Sequence, residues 1–281
     1  ILASKRKQLS IVKEELTAIK KSLNSERMSV IVDSDEQAEN YQAPSEAEAV
    51  AYRDGVIALN KDGQLRFMSP KAFSTAKKDF GSLTEDALPV QKLSVNNKGT
   101  LFAVTNFGSI VKIDVTTLPE KKFKEKPFKL GAINQDVQTG ETVVKLMFFE
   151  GVPVGELVLF TKQGGAKRVD LSEFTEVSKT YLKAINLTEK DVVIGAEVVD
   201  DEKNVMEVTE QGQVLVYKAT EIPIQGRNAA GVKGIKLSDG DSVAFAGQIE
   251  DEGEIIVVSD TGYAKRVISS LIDPSSRYLK G

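Results

Sequence analysis

The chain has 281 residues, 41% hydrophobic and 28% charged, with a formal net charge of −4. That is the composition of a folded globular protein, and no apolar run approaches the ~20 residues that a membrane span needs. Cys and His are both absent, which excludes disulfides, thiolate or imidazole metal sites, cysteine nucleophiles and the Ser-His-Asp triad.

Residues 1–32 carry a net charge of +4. Leu2, Leu9, Val12, Leu16, Ile19 and Leu23 recur at spacings of seven, three, four, three and four. This is the apolar stripe of an amphipathic helix that pairs with another helix. About three heptads make a marginal helix alone, so its partner is expected in chain outside this sequence. The sequence begins at Ile1 in mid-helix without the basic-then-apolar order of a signal peptide, and reads as part of a longer cytoplasmic protein. Residues 33–48 hold Asp33, Asp35, Glu36, Glu39, Glu46 and Glu48, no basic residue, and Pro44. They form an acidic linker with little to bury. Residues 49–281 keep a net charge of only −2.

From Ala49 onward the pattern changes to short β-type runs that repeat. The runs are VIALNKDGQLRF (Val56 to Phe67), LFAVTNFGSIVKI (Leu101 to Ile113), LVLFTKQGGAKRV (Leu157 to Val169), VMEVTEQGQVLVY (Val205 to Tyr217) and IIVVSDTGYAKRV (Ile255 to Val267). Asn60, Thr105, Thr161, Thr209 and Ser259 share one slot. Gly63, Gly108, Gly164, Gly212 and Gly262 share another, where a tight hairpin needs positive φ. A weaker repeat lies between them, Ile185-Leu187-Asp191-Val193 and Ile235-Leu237-Asp241-Val243. A period of about 50 residues with about four strands is one propeller blade. The expected architecture is an all-β, propeller-like disc of five or six blades, preceded by the amphipathic helix.

Cations recur in register after the hairpin glycines: Arg66, Lys112, Lys167 with Arg168, and Lys265 with Arg266. Copy four departs, with Leu215 and Val216. A second cluster is Lys121, Lys122, Lys124, Lys126 and Lys129, interleaved with Phe123, Pro127 and Phe128. Arg227 and Lys233 complete the candidates. Placed on a rim, these side chains would form a band able to follow a phosphate backbone without reading bases. No catalytic or metal-ligating set is expected, because no paired-carboxylate motif recurs.

The signature T-x-x-G-x-x-K-R, the segment IPIQGRNAAGVKGIKL (Ile222 to Leu237) and the helix LSIVKEELTAIKKSLNSERMSVI (Leu9 to Ile31) together resemble the C-terminal domain of bacterial type IIA topoisomerase A subunits and the end of the core before it. The resemblance implies a β-pinwheel, a propeller whose blades exchange a strand. It implies a DNA-binding and DNA-bending domain that presents duplex DNA to a core lying upstream with the catalytic tyrosine. Of the family's two branches, gyrase carries a QRRGGKG-type box after the first hairpin. Here that stretch is SPKAFSTAKKDFGSL (Ser69 to Leu83), with Lys71, Lys77 and Lys78 but no such box, which favours the topoisomerase IV branch. Gln225, Gly226, Arg227 and Gly231 are a weak echo of it. The resemblance further implies an A-subunit homodimer, a B-subunit partner, ATP and Mg²⁺ in the holoenzyme but no cofactor in this chain, and a cytoplasmic, nucleoid-associated location. The chain ends at Tyr278-Leu279-Lys280-Gly281, so the last blade is expected to be incomplete. A propeller used as a protein-interaction scaffold is the reading from another class.

Overall fold

Each repeat closes its hairpin with the same two hydrogen bonds. In the computed structural model of the protein, the shared glycines donate N–H to the carbonyl three residues back at 2.9 to 3.1 Å. Gly63 has φ +71°, and a Cβ there would lie 2.7 Å from that of Thr142, so only Gly closes this turn. The hydroxyl or amide slot then accepts the N–H four residues on. The distances are 2.8 Å at Asn60, 3.1 Å at Thr105, 3.0 Å at Thr161, 3.2 Å at Thr209 and 3.0 Å at Ser259. This explains why those positions demand a short side-chain acceptor. The weaker repeat belongs to the same turns. Asp191 Oδ1 accepts from Gln163 N at 3.0 Å, and Asp241 Oδ1 accepts from Gln211 N at 3.2 Å.

The structure describes residues 5–22, 52–76, 88–122 and 125–281. Helix α1 (Lys5–Ser22) belongs to one compact unit, and Tyr52–Gly281 forms the other. On α1 the apolar stripe is exposed at Leu9, Val12, Leu16 and Ile19. Leu2, Leu23 and the acidic 33–48 segment lie outside the described residues.

Five hairpins build the second unit. Sheet one holds β1 (Asp54–Asn60), β2 (Leu65–Met68) and β3 (Pro89–Asn96) in the order β2-β1-β3. Sheet two runs β6-β4-β5-β9, from β4 (Thr100–Thr105), β5 (Ser109–Ile113), β6 (Val143–Phe149) and β9 (Tyr181–Lys183). Sheet three runs β10-β7-β8-β13, from β7 (Glu156–Thr161), β8 (Gly165–Asp170), β10 (Val193–Val198) and β13 (Val232–Lys233). Sheet four is β12-β11-β14, from β11 (Asn204–Thr209), β12 (Val214–Lys218) and β14 (Val243–Ile249). The fifth hairpin is β15 (Glu254–Val258) with β16 (Ala264–Ile268). Two short helices, α2 (Pro70–Ala76) and α3 (Ser172–Thr175), follow the first and third hairpins.

The chain order departs from the sheet order in one consistent way. Strand β9 leaves hairpin β7–β8 and pairs with β5 of the preceding sheet, and β13 leaves β11–β12 and pairs with β8. After β4–β5, Glu120 and Phe128 bridge to Phe67 and Leu65 of β2. After β15–β16, Ser275 N donates to Val216 O of β12 at 2.7 Å. Each hairpin after the first thus sends its outgoing segment back to the outer edge of the blade before it, which is the strand exchange of a β-pinwheel. The inner strands β3, β6, β10 and β14 lie side by side.

Neighbouring blades bury both faces of the second and third hairpins, whereas β15 and β16 are largely exposed. Leu101 and Ala103 pack towards sheet one, while Phe102 and Val104 pack towards sheet three. Val158 and Phe160 likewise pack on Val205, Leu215 and Tyr217 of sheet four. Two-faced burial is why the strands read as continuous apolar runs and not as alternation.

Thr105 tests the turn chemistry. It is fully buried and donates to Glu141 Oε1 at 2.6 Å while accepting from Ser109 N. Thr105→Val keeps the volume but takes the side-chain acceptor from Ser109 N and one of three donors from Glu141, which keeps Tyr181 OH and Gln138 N, and is expected to cost about 2 kcal/mol in urea unfolding. A loss under ~0.5 kcal/mol would show that the slot is not structural.

Candidate nucleic-acid interface

A cation on the second strand of a hairpin cannot reach a solvated rim when both faces of its sheet are covered. It must find acceptors inside, and here it finds backbone carbonyls. Lys167 is 0% exposed. Its Nζ donates to Ala184 O at 2.7 Å, Arg227 O at 2.8 Å and Ala229 O at 2.9 Å. Burial pushes its ammonium down to about 8, against the pull of Glu173. Arg168, on the opposite face of β8, pairs with Glu156, with Asp201 Oδ1 at 2.8 Å and with Ala219 O at 3.3 Å. Arg66 is buried and donates to Glu125 O at 3.0 Å, and Lys112 donates to Val177 O. Desolvation lowers the pKa of both.

All of these carbonyls except that of Ala184, which follows Lys167's own hairpin, have one thing in common. Glu125, Val177, Ala219, Arg227 and Ala229 all lie on the chain that leaves the next hairpin. The in-register cations therefore hold exchanged segments in place. For Arg66, Lys112, Lys167 and Arg168 the expected place on a phosphate-facing rim is corrected: they are engaged inside the blades. Lys265 and Arg266 keep the exposed position expected of them. Arg266 pairs with Glu254 at 3.0 Å, repeating the Arg168–Glu156 pair in solvent.

A further set of exposed cations lies on the exchanged segments themselves, at the outer edges of the sheets. Sheet one presents Lys122, Lys126 and Lys129, with Lys121 half-buried and 3.8 Å from Glu125; Lys124 lies outside the described residues. Sheet two presents Lys179 and Lys183, and sheet three presents Lys233 and Lys236 beside the half-buried Arg227. Lys233 Nζ lies 5.2 Å over the Tyr278 ring, and Lys280 continues the edge at sheet four. No acid occurs from Ile222 to Leu237. The spacing after the glycines gave no sign of Lys179, Lys183, Lys236 or Lys280. The usable signal was that they follow each hairpin in its outgoing stretch.

Two further residues escaped the sequence reading. Arg53, stacked 4.8 Å over Phe67, donates to the carbonyls of Val115, Thr116 and Leu118. Arg277 donates to Glu221 O at 3.2 Å and to Lys233 O. In copy four, where no cation follows the glycine, a carboxyl occupies the facing strand. Glu207 is 0% exposed, its Oε1 accepts from Tyr217 OH at 2.6 Å, and its Oε2 has no partner. Burial pushes the carboxyl up to about 7, opposed by the Tyr217 hydrogen bond.

Two measurements check this electrostatic reading. Arg168→Ala strips partners from a largely buried pair and is expected to cost about 3 kcal/mol. The equivalent Arg266→Ala breaks an exposed pair and should stay within ~0.5 kcal/mol; equal costs in urea unfolding would contradict the inward placement. For Glu207 the folded pKa lies above the unfolded one, so folding is favoured at low pH and loses stability as pH rises from about 4.5 through about 7. Glu207→Gln is therefore expected to match the wild type near pH 4.5 and exceed it by about 3 kcal/mol at pH 8. A constant difference across that range would refute it.

Comparison with known proteins matches this architecture. The family described as DNA gyrase C-terminal domain, beta-propeller, matches residues 99–127, 155–200 and 203–250, the second, third and fourth repeats. The A subunit of DNA topoisomerase 4 from Bacillus subtilis (strain 168) is 30% identical over 287 residues, covering 100% of this chain and 34% of that protein. The A subunit of DNA gyrase from Staphylococcus epidermidis is 27% identical, covering 100% of this chain and 32% of that protein. The chain thus spans about a third of the length of these relatives. Among solved structures, the C-terminal domain of DNA topoisomerase IV superposes with a TM-score of 0.72 at 25% identity, over 83% of this chain and 72% of that one. The DNA gyrase A C-terminal domain gives 0.58 at 22% identity, over 81% and 75%, a likeness of fold. With its five hairpins and their exchanged segments, the chain belongs to the family of β-propeller C-terminal domains of type IIA topoisomerase A subunits.

Proposed function

We propose that this chain is the DNA-binding and DNA-bending domain of a topoisomerase IV A subunit, and that duplex DNA follows the outer edges of its sheets. The observation that supports this most is the acid-free run from Ile222 to Leu237, which carries Arg227 and the exposed Lys233 and Lys236 along the outer edge of sheet three, in a unit whose net charge is only −2. Lys neutralises phosphates as a point charge and reads no bases, so the binding is sequence-tolerant. The absence of a QRRGGKG-type box between Ser69 and Leu83 supports the topoisomerase IV branch over gyrase. ATP-dependent negative supercoiling by the reconstituted holoenzyme would decide for gyrase. In this reading, strand passage, ATP, Mg²⁺, the homodimer contacts of the core and the B-subunit partner belong to the parent protein, in the bacterial cytoplasm. Among the described residues no group of three acidic side chains is placed to hold a metal ion, and no described helix is long and apolar enough to cross a membrane.

If DNA on these edges engages about six phosphates, log K falls against log salt with a slope of about −5. The combined variant Lys122→Glu, Lys126→Glu, Lys183→Glu, Lys236→Glu changes only exposed side chains. It is expected to weaken duplex binding at least about tenfold and to flatten that slope, with an unchanged melting temperature. Unaltered binding by a folded variant, in fluorescence anisotropy across a salt series, would remove the outer edges as the DNA surface and leave the scaffold reading.

A further inference from the structure

The loop from Gln225 to Gly231 crosses the outer edge of sheet three and carries Arg227. Backbone bonds hold its two ends: Gln225 N donates to Arg168 O at 2.9 Å, and Val232 pairs with Ala166. At Gly231 it passes so close that a Cβ would lie 2.7 Å from Ala166 O. Between those ends the loop meets the fold at Lys167, whose ammonium takes the carbonyls of Arg227 and Ala229. The third proton goes to Ala184 O, just beyond β9, and Asn186 N donates to Ala229 O at 3.0 Å. The ammonium's three donors are thus all used, in a tetrahedral arrangement that a planar guanidinium does not reproduce. Gly226, Asn228 and Ala230 face solvent, and Arg227 is half-exposed with its Nε 3.8 Å from Glu173 Oε2. The arrangement recurs in sheet one, where buried Arg66 holds Glu125 O between exposed Lys122 and Lys126.

We propose that Lys167 is a positioning residue for the DNA-facing edge: from inside the blade it fixes the Gln225–Gly231 loop so that Arg227 stands ready to meet a phosphate. This rests on the DNA-binding reading above. In this role Lys167 touches no DNA, and its effect on affinity runs through Arg227 alone. Removing the ammonium therefore costs the same increment as removing the Arg227 charge, and removing both costs no more than either, because the two act as one unit.

The experiment uses the whole chain with a short duplex as probe, in variants Lys167→Met, Lys167→Arg, Arg227→Gln and the Lys167→Met, Arg227→Gln double variant. Amide exchange follows the loop, and anisotropy across a salt series follows binding. Lys167→Met is expected to speed exchange across Gly226–Gly231 at least about tenfold while β4 and β11 keep their protection. It should weaken binding by the same factor as Arg227→Gln, with no further loss in the double variant. Should Lys167→Met unfold the chain, Lys167→Arg carries the test, since it keeps the charge and changes only the geometry. A positioning role expects faster loop exchange and weaker binding for it, whereas a direct phosphate contact expects neither. Unchanged loop exchange in the folded Lys167 variants, or losses that multiply in the double variant, overturns the inference alone. Absence of duplex binding by the wild-type chain overturns the DNA reading and this inference with it.

Discussion

A strand that leaves its own hairpin to finish the sheet of the preceding blade arrives with carbonyls turned into a space closed on both sides by apolar side chains. Such carbonyls need donors, and a cation buried in the same space needs acceptors. In this propeller the two requirements satisfy one another. Lys167 meets the chain leaving hairpin four at Arg227 and Ala229, Lys112 meets the chain leaving hairpin three at Val177, and Arg66 meets the chain leaving hairpin two at Glu125. Most other features of the domain follow from that coupling. The exchanged segment is fixed against the outer edge of the sheet, its apolar side chains such as Phe128, Leu182 and Ile235 join the core, and its lysines stay exposed along that edge.

The same coupling reconciles a net charge of −2 over residues 49–281 with a polyanionic partner. Field at a surface depends on where charges stand and not on their sum. Carboxylates gather in the connections at the opposite ends of the strands, with Asp200, Asp201 and Glu202 in one and Glu250, Asp251 and Glu252 in another. The segment from Ile222 to Leu237, by contrast, carries none. Arg168 illustrates the division: its guanidinium is spent on Glu156, Asp201 and a carbonyl, and adds nothing to the field that a duplex would meet.

How much of this could be read from the sequence depended on whether a feature has a local cause. The hairpins were legible because one turn fixes both the Gly and the acceptor four residues before the bonded N–H, as at Thr161 and Gly165. Strand exchange has no local signature, since β13 is two residues long and pairs with a strand more than sixty residues earlier; it entered through resemblance. The Lys-Arg pair was seen and its direction misread. Adjacent residues on a strand do face opposite ways, but placing Lys167 and Arg168 at a rim assumed that one of those ways is solvent, and between sheets two and four neither is, whereas Lys265 and Arg266 on the last hairpin are exposed. Lys179, Lys183, Lys236 and Lys280 were passed over for the opposite reason, because irregular stretches have no register in which to notice them.

Copy four shows that the requirement attaches to a place in the fold and not to a residue type. Leu215 and Val216 stand where copy three has Lys167 and Arg168, so those two positions of the second strand offer no cation. The polar group has moved to the facing strand as Glu207, directly across from Leu215, and finds its donor in Tyr217. The returning segment then brings its own cation, and Arg277 reaches back to the carbonyls of Glu221 and Lys233. The cation now comes from the returning segment and not from the hairpin, yet a basic side chain still bonds carbonyls where one segment crosses to the next blade. A carboxyl buried in this position with one oxygen unpartnered is a weaker solution than an ammonium with three acceptors. Ionisation of Glu207 as the pH rises therefore weakens the hairpin of sheet four, against which the returning segment packs.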